Sequence, residues 1–153
     1  MKKIDRAILL LLALIFLFSG IDKLAHYEGF VNALRNYIVV PRGWAPYLAV
    51  PVIAVELLIG IGLFVRLWRR QAALTAAVMM AVFTAALGLN RLLGGRGICG
   101  CWFTITLARG DGMHVAQNLI MLGLALALWW SWRTEEEAVL KTAVLPRLEP
   151  NRG

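Results

Sequence analysis

QAALTAAVMMAVFTAALGLN, residues 71–90, is a continuous run that contains no charged side chain. A helix needs about 20 mostly apolar residues to cross the hydrocarbon core of a bilayer. This run has that length by itself. It therefore predicts a membrane-spanning helix, and it directs attention to similar runs elsewhere in the chain.

Three further stretches of the same kind lie on either side of the first. Residues 7–21 and 112–132 carry no Asp, Glu, Lys or Arg, and residues 47–65 carry only Glu56. The earliest stretch reaches spanning length when its flanks, from Ile4 to Leu24, are included. The sequence thus predicts an all-α fold, an integral membrane four-helix bundle in residues 1–132. Its helices are expected at about 4–24, 47–66, 70–92 and 112–132, followed by a cytoplasmic tail at 133–153.

The composition supports a membrane protein. Of the 153 residues, 60% are apolar, and the 14 glycines are not part of that figure. Soluble domains contain roughly 45–50% apolar residues with glycine included. A small water-soluble protein has too much surface to bury the excess. The composition excludes a disordered or collagen-like chain and argues against a soluble enzyme.

The distribution of Lys and Arg predicts the orientation. The cytoplasmic flanks of membrane helices collect these residues. They crowd the start of the chain and the short loop at residues 66–70, as Lys2, Lys3, Arg6, Arg66, Arg69 and Arg70. The amino and carboxyl termini are therefore expected inside, in a bacterial cytoplasmic (inner) membrane. The net charge of +7 then reflects membrane topology and gives no indication of nucleic-acid binding.

The beginning of the chain has an alternative interpretation. Two lysines followed by an apolar run are also typical of a secretory signal peptide. Asp5 within the basic region, and the lack of a clear A-x-A cleavage site, favour a retained helix.

With that orientation, the loops at about 25–46 and 94–111 face outward. In the first loop, Tyr27, Phe30, Leu34 and Tyr37 recur at helical spacing. They predict a short amphipathic helix in the membrane interface, with its aromatic rings at the level of the lipid headgroups. Tryptophans near the predicted helix ends are typical of an aromatic belt: Trp44, Trp68, Trp129, Trp130 and Trp132.

The second outer loop carries the chemical motif Cys99-Gly100-Cys101. Gly100 tolerates the bend that pairing of the two cysteines requires. The small, strained ring would be readily reduced, as suits thiol–disulfide exchange. Arg96 would favour the reactive thiolate, and His114 could act as a general base. Two alternatives stay open: inert or structural cysteines, and half of a metal site, although zinc normally takes four ligands at other spacings.

Polar residues within and at the ends of the helices form a second candidate site. Glu56 is expected near the bilayer midplane, where a carboxylate needs a partner or a proton. It could handle protons or contact a quinone, or it could simply hydrogen-bond a neighbouring helix. An outer polar site would combine residues from the outer helix ends, beside the cysteines: Ser19, Asp22, Lys23, Asn90, Arg91, His114, Gln117 and Asn118. The alternative is that these residues share no site and are polar only because the ends of membrane helices generally are.

Several short motifs together resemble the DoxX-like superfamily. They are Phe18–Leu24 (FSGIDKL), Phe30 to Tyr37 with Val40-Pro41, Glu56–Gly60 (ELLIG), the C-G-C motif and the opening of the last helix. The C-G-C motif narrows the resemblance to the branch of the methylamine-utilisation protein MauE, over about residues 5–132. That branch commonly has Phe and Gly after C-G-C, where this chain has Trp102 and Phe103.

The resemblance implies a role in periplasmic redox maturation. MauE is linked to processing, folding or disulfide formation of an amine dehydrogenase subunit, alongside a thioredoxin-like partner. DoxX and DoxD relatives are linked to quinone-coupled oxidation of sulfur compounds, which makes a quinone the candidate cofactor here.

The resulting hypothesis is a membrane thiol–disulfide oxidoreductase whose Cys99 and Cys101 serve a periplasmic thioredoxin-like protein or a client protein. The alternative is a non-catalytic accessory or scaffold subunit of a larger membrane complex. A small transporter built around Glu56 is disfavoured, because no inverted repeat is evident.

Overall fold

The computed structural model describes residues 3–41, 43–94 and 111–148. Side chains are described except at 111–114 and 134–148, and for residue 3. Five helices occur in these ranges: α1 (Lys3–Ala25), α2 (Tyr27–Arg35), α3 (Ala45–Phe64), α4 (Arg69–Leu92) and α5 (Asp111–Leu148). We call residues 26–40, which contain α2, the outer segment.

Four stretches are long and apolar enough to cross a membrane, which confirms the predicted bundle. They are Ile4–Ala25, Ala45–Phe64, Arg69–Leu92 and Val115–Arg133. The last helix continues beyond its span to Leu148, so Trp129 and Trp132 lie within α5.

The four spanning helices form a closed ring. Helix α1 packs against α3, α3 against α4, α4 against α5, and α5 against α1. The shared core contains large side chains of α1, such as Leu12 and Phe16, against small side chains of α4, such as Ala73 and Ala76. Lipid tails are as apolar as leucine, so close van der Waals packing must hold such helices together. The alanines allow the close approach that this requires.

Hydrogen bonds and caps fix both ends of the bundle. At the predicted inner end, the hydroxyl of Ser131 donates to Oδ2 of Asp5 over 3.2 Å and joins α5 to α1. At the outer end of α4, Gly94 adopts a left-handed φ of 81° and donates its N–H to the carbonyl of Arg91. Glycine takes this conformation without the steric cost that a Cβ would bring, so the helix ends there in a defined direction.

Candidate functional site

A buried ion pair joins α1 to α3. Nζ of Lys23 lies 3.0 Å from both Oε1 and Oε2 of Glu56, and both side chains are 2% exposed or less. Ser19, one turn before Lys23, accepts a hydrogen bond of 2.5 Å from the same ammonium. Its hydroxyl donates to Oε2 of Glu56 over 3.4 Å. We call these three residues the ion-pair cluster.

Two glycines bring the helices close enough for this pair to form. A Cβ atom on Gly20 would lie 2.8 Å from Cδ2 of Leu57, and one on Gly60 would lie 2.6 Å from Cγ of Leu17. Real Cβ atoms almost never approach other atoms so closely. A leucine of each helix therefore fits over a glycine of the other. These two leucine–glycine contacts join α1 to α3, the same helices that carry the ion-pair cluster, and they lie next to it.

The ion-pair cluster is chemically saturated. A lysine ammonium has three hydrogens, and the cluster offers three acceptors for them: Oγ of Ser19 and the two oxygens of Glu56. A quinone carbonyl would need a donor that is reachable and not already used. The arrangement does not fit a quinone headgroup, and it favours the helix-to-helix bond among the interpretations of Glu56. A buried carboxylate in a membrane is tolerated when it has such a partner.

The outer segment covers this cluster. The ring of Phe30 lies over Lys23, with Nζ 5.4 Å from the ring centroid, a distance that allows a cation–π contact. Phe30 and Val31 also pack against Ala45, Ala49 and Ile53 of α3. The ion pair is thus closed off by protein on the side of the predicted outer surface.

The predicted amphipathic helix is present as α2. Phe30 of α2, and Tyr37 just after it, are however buried in protein, and the depth of these rings relative to the lipid headgroups stays a prediction. The two rings are buried because the outer segment folds back onto α3 and α4, so these rings contact other helices.

The hydroxyl of Tyr27 fixes the start of α2 by donating to the carbonyl of Pro46 over 3.1 Å. We expect Tyr27→Phe to lower the free energy of unfolding by about 0.5–1.5 kcal/mol, the net value of one such bond. Detergent-titrated unfolding of the purified protein would measure it. Tyr47→Phe is the matched control, because Tyr47 is 77% exposed. If Tyr27→Phe and Tyr47→Phe lower the free energy of unfolding equally, the hydrogen bond of Tyr27 makes no specific contribution to stability.

A second group of contacts joins the outer segment to α4 and α5. The backbone N–H of Ile38 donates to Oδ1 of Asn90 over 2.8 Å, and Asn90 itself is 1% exposed. Tyr37 is buried with Leu87 of α4, and Val115 of α5 packs against them. These contacts lie at the bundle end where α4 finishes and α5 begins.

The remaining residues of the predicted outer polar site take several positions. Asn118 is fully buried on α5, and Gln117 is half-buried beside it. Asp22 lies 3.1 Å from Nδ1 of His26, and Arg91 is exposed at the end of α4.

The described contacts therefore divide the predicted outer polar site. They group Ser19 and Lys23 with Glu56, and they join Asn90 to Ile38. His114 lies in the first turn of α5, and its side chain is outside the described residues.

The cysteine motif lies outside the described residues. Cys99, Cys101 and Arg96 all fall in residues 95–110. Within the described residues, no three His, Cys, Asp or Glu side chains are grouped so that they could hold a metal ion.

The sequence pattern did not reveal the role of the outer segment. Phe30 over Lys23, and the Ile38 N–H on Asn90, were not expected. The helical spacing of the aromatic residues was visible, and it predicted an apolar face for α2. It could not distinguish a face buried in protein from one buried in lipid, since either environment accepts apolar side chains.

Comparison with known proteins identifies relatives. The family model described as methylamine utilisation protein MauE matches residues 1–131. Methylamine utilization protein MauE of Paracoccus denitrificans is 35% identical over 123 residues, covering 80% of this chain and 66% of the relative. The chain thus spans about two thirds of that relative's length. No solved structure matches the chain.

Proposed function

The chain belongs to the MauE family of multi-pass membrane proteins, and from this membership we propose that it is a membrane thiol–disulfide protein that serves oxidative maturation in methylamine utilisation. Its reactive pair is Cys99 and Cys101, facing the periplasm of a bacterial inner membrane. Its partner is a thioredoxin-like protein or a maturing client.

One observation carries this proposal. The chain has two cysteines, separated by a single glycine, between α4 and α5. Since successive spans alternate in direction, this segment leaves the bundle at the same end as the outer segment. Two thiols at that spacing suit a disulfide that opens easily, because strain raises the reduction potential.

The proposed reaction is a two-step exchange. A thiolate of the partner attacks one sulfur of the Cys99–Cys101 disulfide, so a mixed disulfide forms and the other cysteine leaves as a thiolate. The second partner thiol, as its thiolate, then attacks the partner's own sulfur in the mixed disulfide, so that the bond to this chain breaks and the remaining cysteine leaves as a thiolate. The partner is oxidised to a disulfide, Cys99 and Cys101 become two thiols, and two electrons and two protons have moved. The same steps in reverse would reduce a partner.

The first experiment traps the redox state of the pair in intact cells. Because the chain has only two cysteines, a bulky membrane-impermeant maleimide reports on this pair alone. We expect oxidised and reduced forms whose ratio changes when an external dithiol is added and removed. Thiols that stay free under every condition would contradict the proposal.

Matched variants separate catalysis from a scaffold role. We expect Cys99→Ser/Cys101→Ser to assemble normally and to lower client oxidation to the level of cells lacking the protein. Each single variant should retain the thiol needed to capture a mixed-disulfide partner. Thr104→Ser, a small change in the same segment that leaves both thiols in place, is the control. Full client oxidation by the double variant would favour the accessory or scaffold alternative.

A further inference from the structure

The turn between α3 and α4 exposes apolar side chains. It consists of Val65-Arg66-Leu67-Trp68, and the N–H of Trp68 closes it by donating to the carbonyl of Val65 over 2.9 Å. Leu67 is 85% exposed and Trp68 is 60% exposed. Turns in water usually contain Gly, Pro, Asn, Asp or Ser, and this sequence contains none of them. Such a turn suits the membrane–water interface, where tryptophan is enriched.

Basic side chains accompany this turn. Arg66 is exposed within it, and Arg69 and Arg70 follow in the first turn of α4, where both are half-buried. We call residues 65–70 the basic turn. Arginine can lay its apolar stem along a hydrophobic surface while its charge stays at the water-facing end. With the spans α3 and α4 placed across a bilayer, the guanidinium groups of the basic turn lie at the level of the lipid headgroups.

The neighbouring helices add charge of the same sign at this end of the bundle, where α1 begins and the span of α5 ends. Arg6 and Arg133 are both exposed there. With those of the basic turn they make five arginines, and the described side chains at this end include one carboxylate, Asp5, which accepts a hydrogen bond from Ser131. Three glutamates, at 135–137, follow in the extension of α5, with side chains outside the described residues.

We propose that the basic turn binds the headgroup of an acidic phospholipid. The planar fork of a guanidinium group binds phosphate oxygens through two parallel N–H bonds. Every phospholipid carries a phosphate, but a choline headgroup adds a cation, which the arginines repel. A phosphoglycerol headgroup has no such cation and keeps a net negative charge. The exposed side chains of Leu67 and Trp68 pack against the upper acyl chains of the same lipid. This inference is independent of the proposed function.

The test compares two short-chain lipids as ligands of the purified full-length protein in a non-ionic detergent. Dioctanoyl phosphatidylglycerol and dioctanoyl phosphatidylcholine have the same acyl chains and differ in headgroup charge. Tryptophan fluorescence follows binding. We expect the phosphatidylglycerol to bind about tenfold more tightly, and high salt to reduce this difference.

Variants of Arg66 assign the difference to the basic turn. Arg66→Gln should weaken phosphatidylglycerol binding about fivefold, the effect of one basic residue near an anionic lipid, and should leave phosphatidylcholine binding unchanged. Arg66→Lys keeps the charge and should retain most of the affinity. Arg35→Gln is the matched control, because it removes the same charge from an exposed position on α2, at the opposite end of the bundle. Unchanged α-helical content would verify that each variant is folded.

Several results would overturn this inference. The wild type could bind the two lipids equally, or Arg66→Gln could bind phosphatidylglycerol as tightly as Arg35→Gln does. Displacement of the lipid by inorganic phosphate at constant ionic strength would indicate a site for free phosphate. An equal loss of affinity for both lipids in Arg66→Gln would mean that Arg66 acts within the protein. None of these measurements depends on the cysteine pair, so their failure would leave the proposed function standing.

Discussion

Replacing Glu56 by alanine is expected to lower the free energy of unfolding by about 3–5 kcal/mol, the range typical for removing one partner of a buried ion pair. The carboxylate supplies two of the three acceptors around the Lys23 ammonium. Without it, the buried ammonium loses both carboxylate oxygens of its ion pair, while its hydrogen bond to Ser19 remains. Titration of the purified protein with sodium dodecyl sulfate, followed by circular dichroism, measures the change.

A double variant distinguishes loss of the pair from loss of the side chain. Lys23→Met/Glu56→Leu replaces the two charges by apolar groups of similar size, and such replacements are often neutral or stabilising. We expect it to recover most of the stability lost in Glu56→Ala. Glu28→Ala is the control for removal of an exposed carboxylate, and its effect should be within about 0.5 kcal/mol of zero. A Glu56→Ala effect as small as that of Glu28→Ala would refute a stabilising role for the ion pair.

Gly60→Ala is expected to destabilise the bundle by about 1–3 kcal/mol, the usual cost of overpacking. The added Cβ would lie 2.6 Å from Cγ of Leu17 and 3.1 Å from its backbone nitrogen. The side chain of Leu17 can move, but its backbone cannot move without displacing α1 from α3. The same titration gives the free energy.

The control for this prediction is Gly88→Ala. A Cβ there would meet nothing within 4 Å, and alanine favours a helix over glycine by about 1 kcal/mol. We therefore expect Gly88→Ala to be neutral or stabilising. Leu17→Ala combined with Gly60→Ala should relieve the overlap and lose less stability than the two single changes summed. Equal effects of Gly60→Ala and Gly88→Ala would show that close α1–α3 packing contributes nothing.

The four spans could be predicted from the sequence because the bilayer imposes a length on every uncharged run. The partner of Glu56 could not. The depth of a residue in the bilayer was estimated by counting residues from the ends of its helix, and this count assumes that all helices start at the same depth. In the structure, the first turns of α3, at Ala45 and Ala49, pack against the outer segment. Lys23, near the end of α1, thereby comes level with Glu56 in the middle of α3. Such offsets between helices leave no periodic signal in the chain.

The sequence predicted the residues of the candidate site, but it did not predict which of them contact one another. Polar residues at helix ends were recognised one by one from their positions. Which of them would meet depended on how the outer segment folds back, and on a backbone N–H at Ile38 that no side-chain pattern reports.

The ion pair also constrains how the protein can be made. Lys23 and Glu56 are 33 residues apart, so during synthesis the lysine-bearing helix is complete well before its counter-charge emerges. An isolated α1 carries an ammonium that is costly within lipid unless it reaches the outer interface. Its final position depends on the later arrival of α3. Translation products that stop before residue 56 should consequently be poorly retained and rapidly degraded, while those that include α3 should persist.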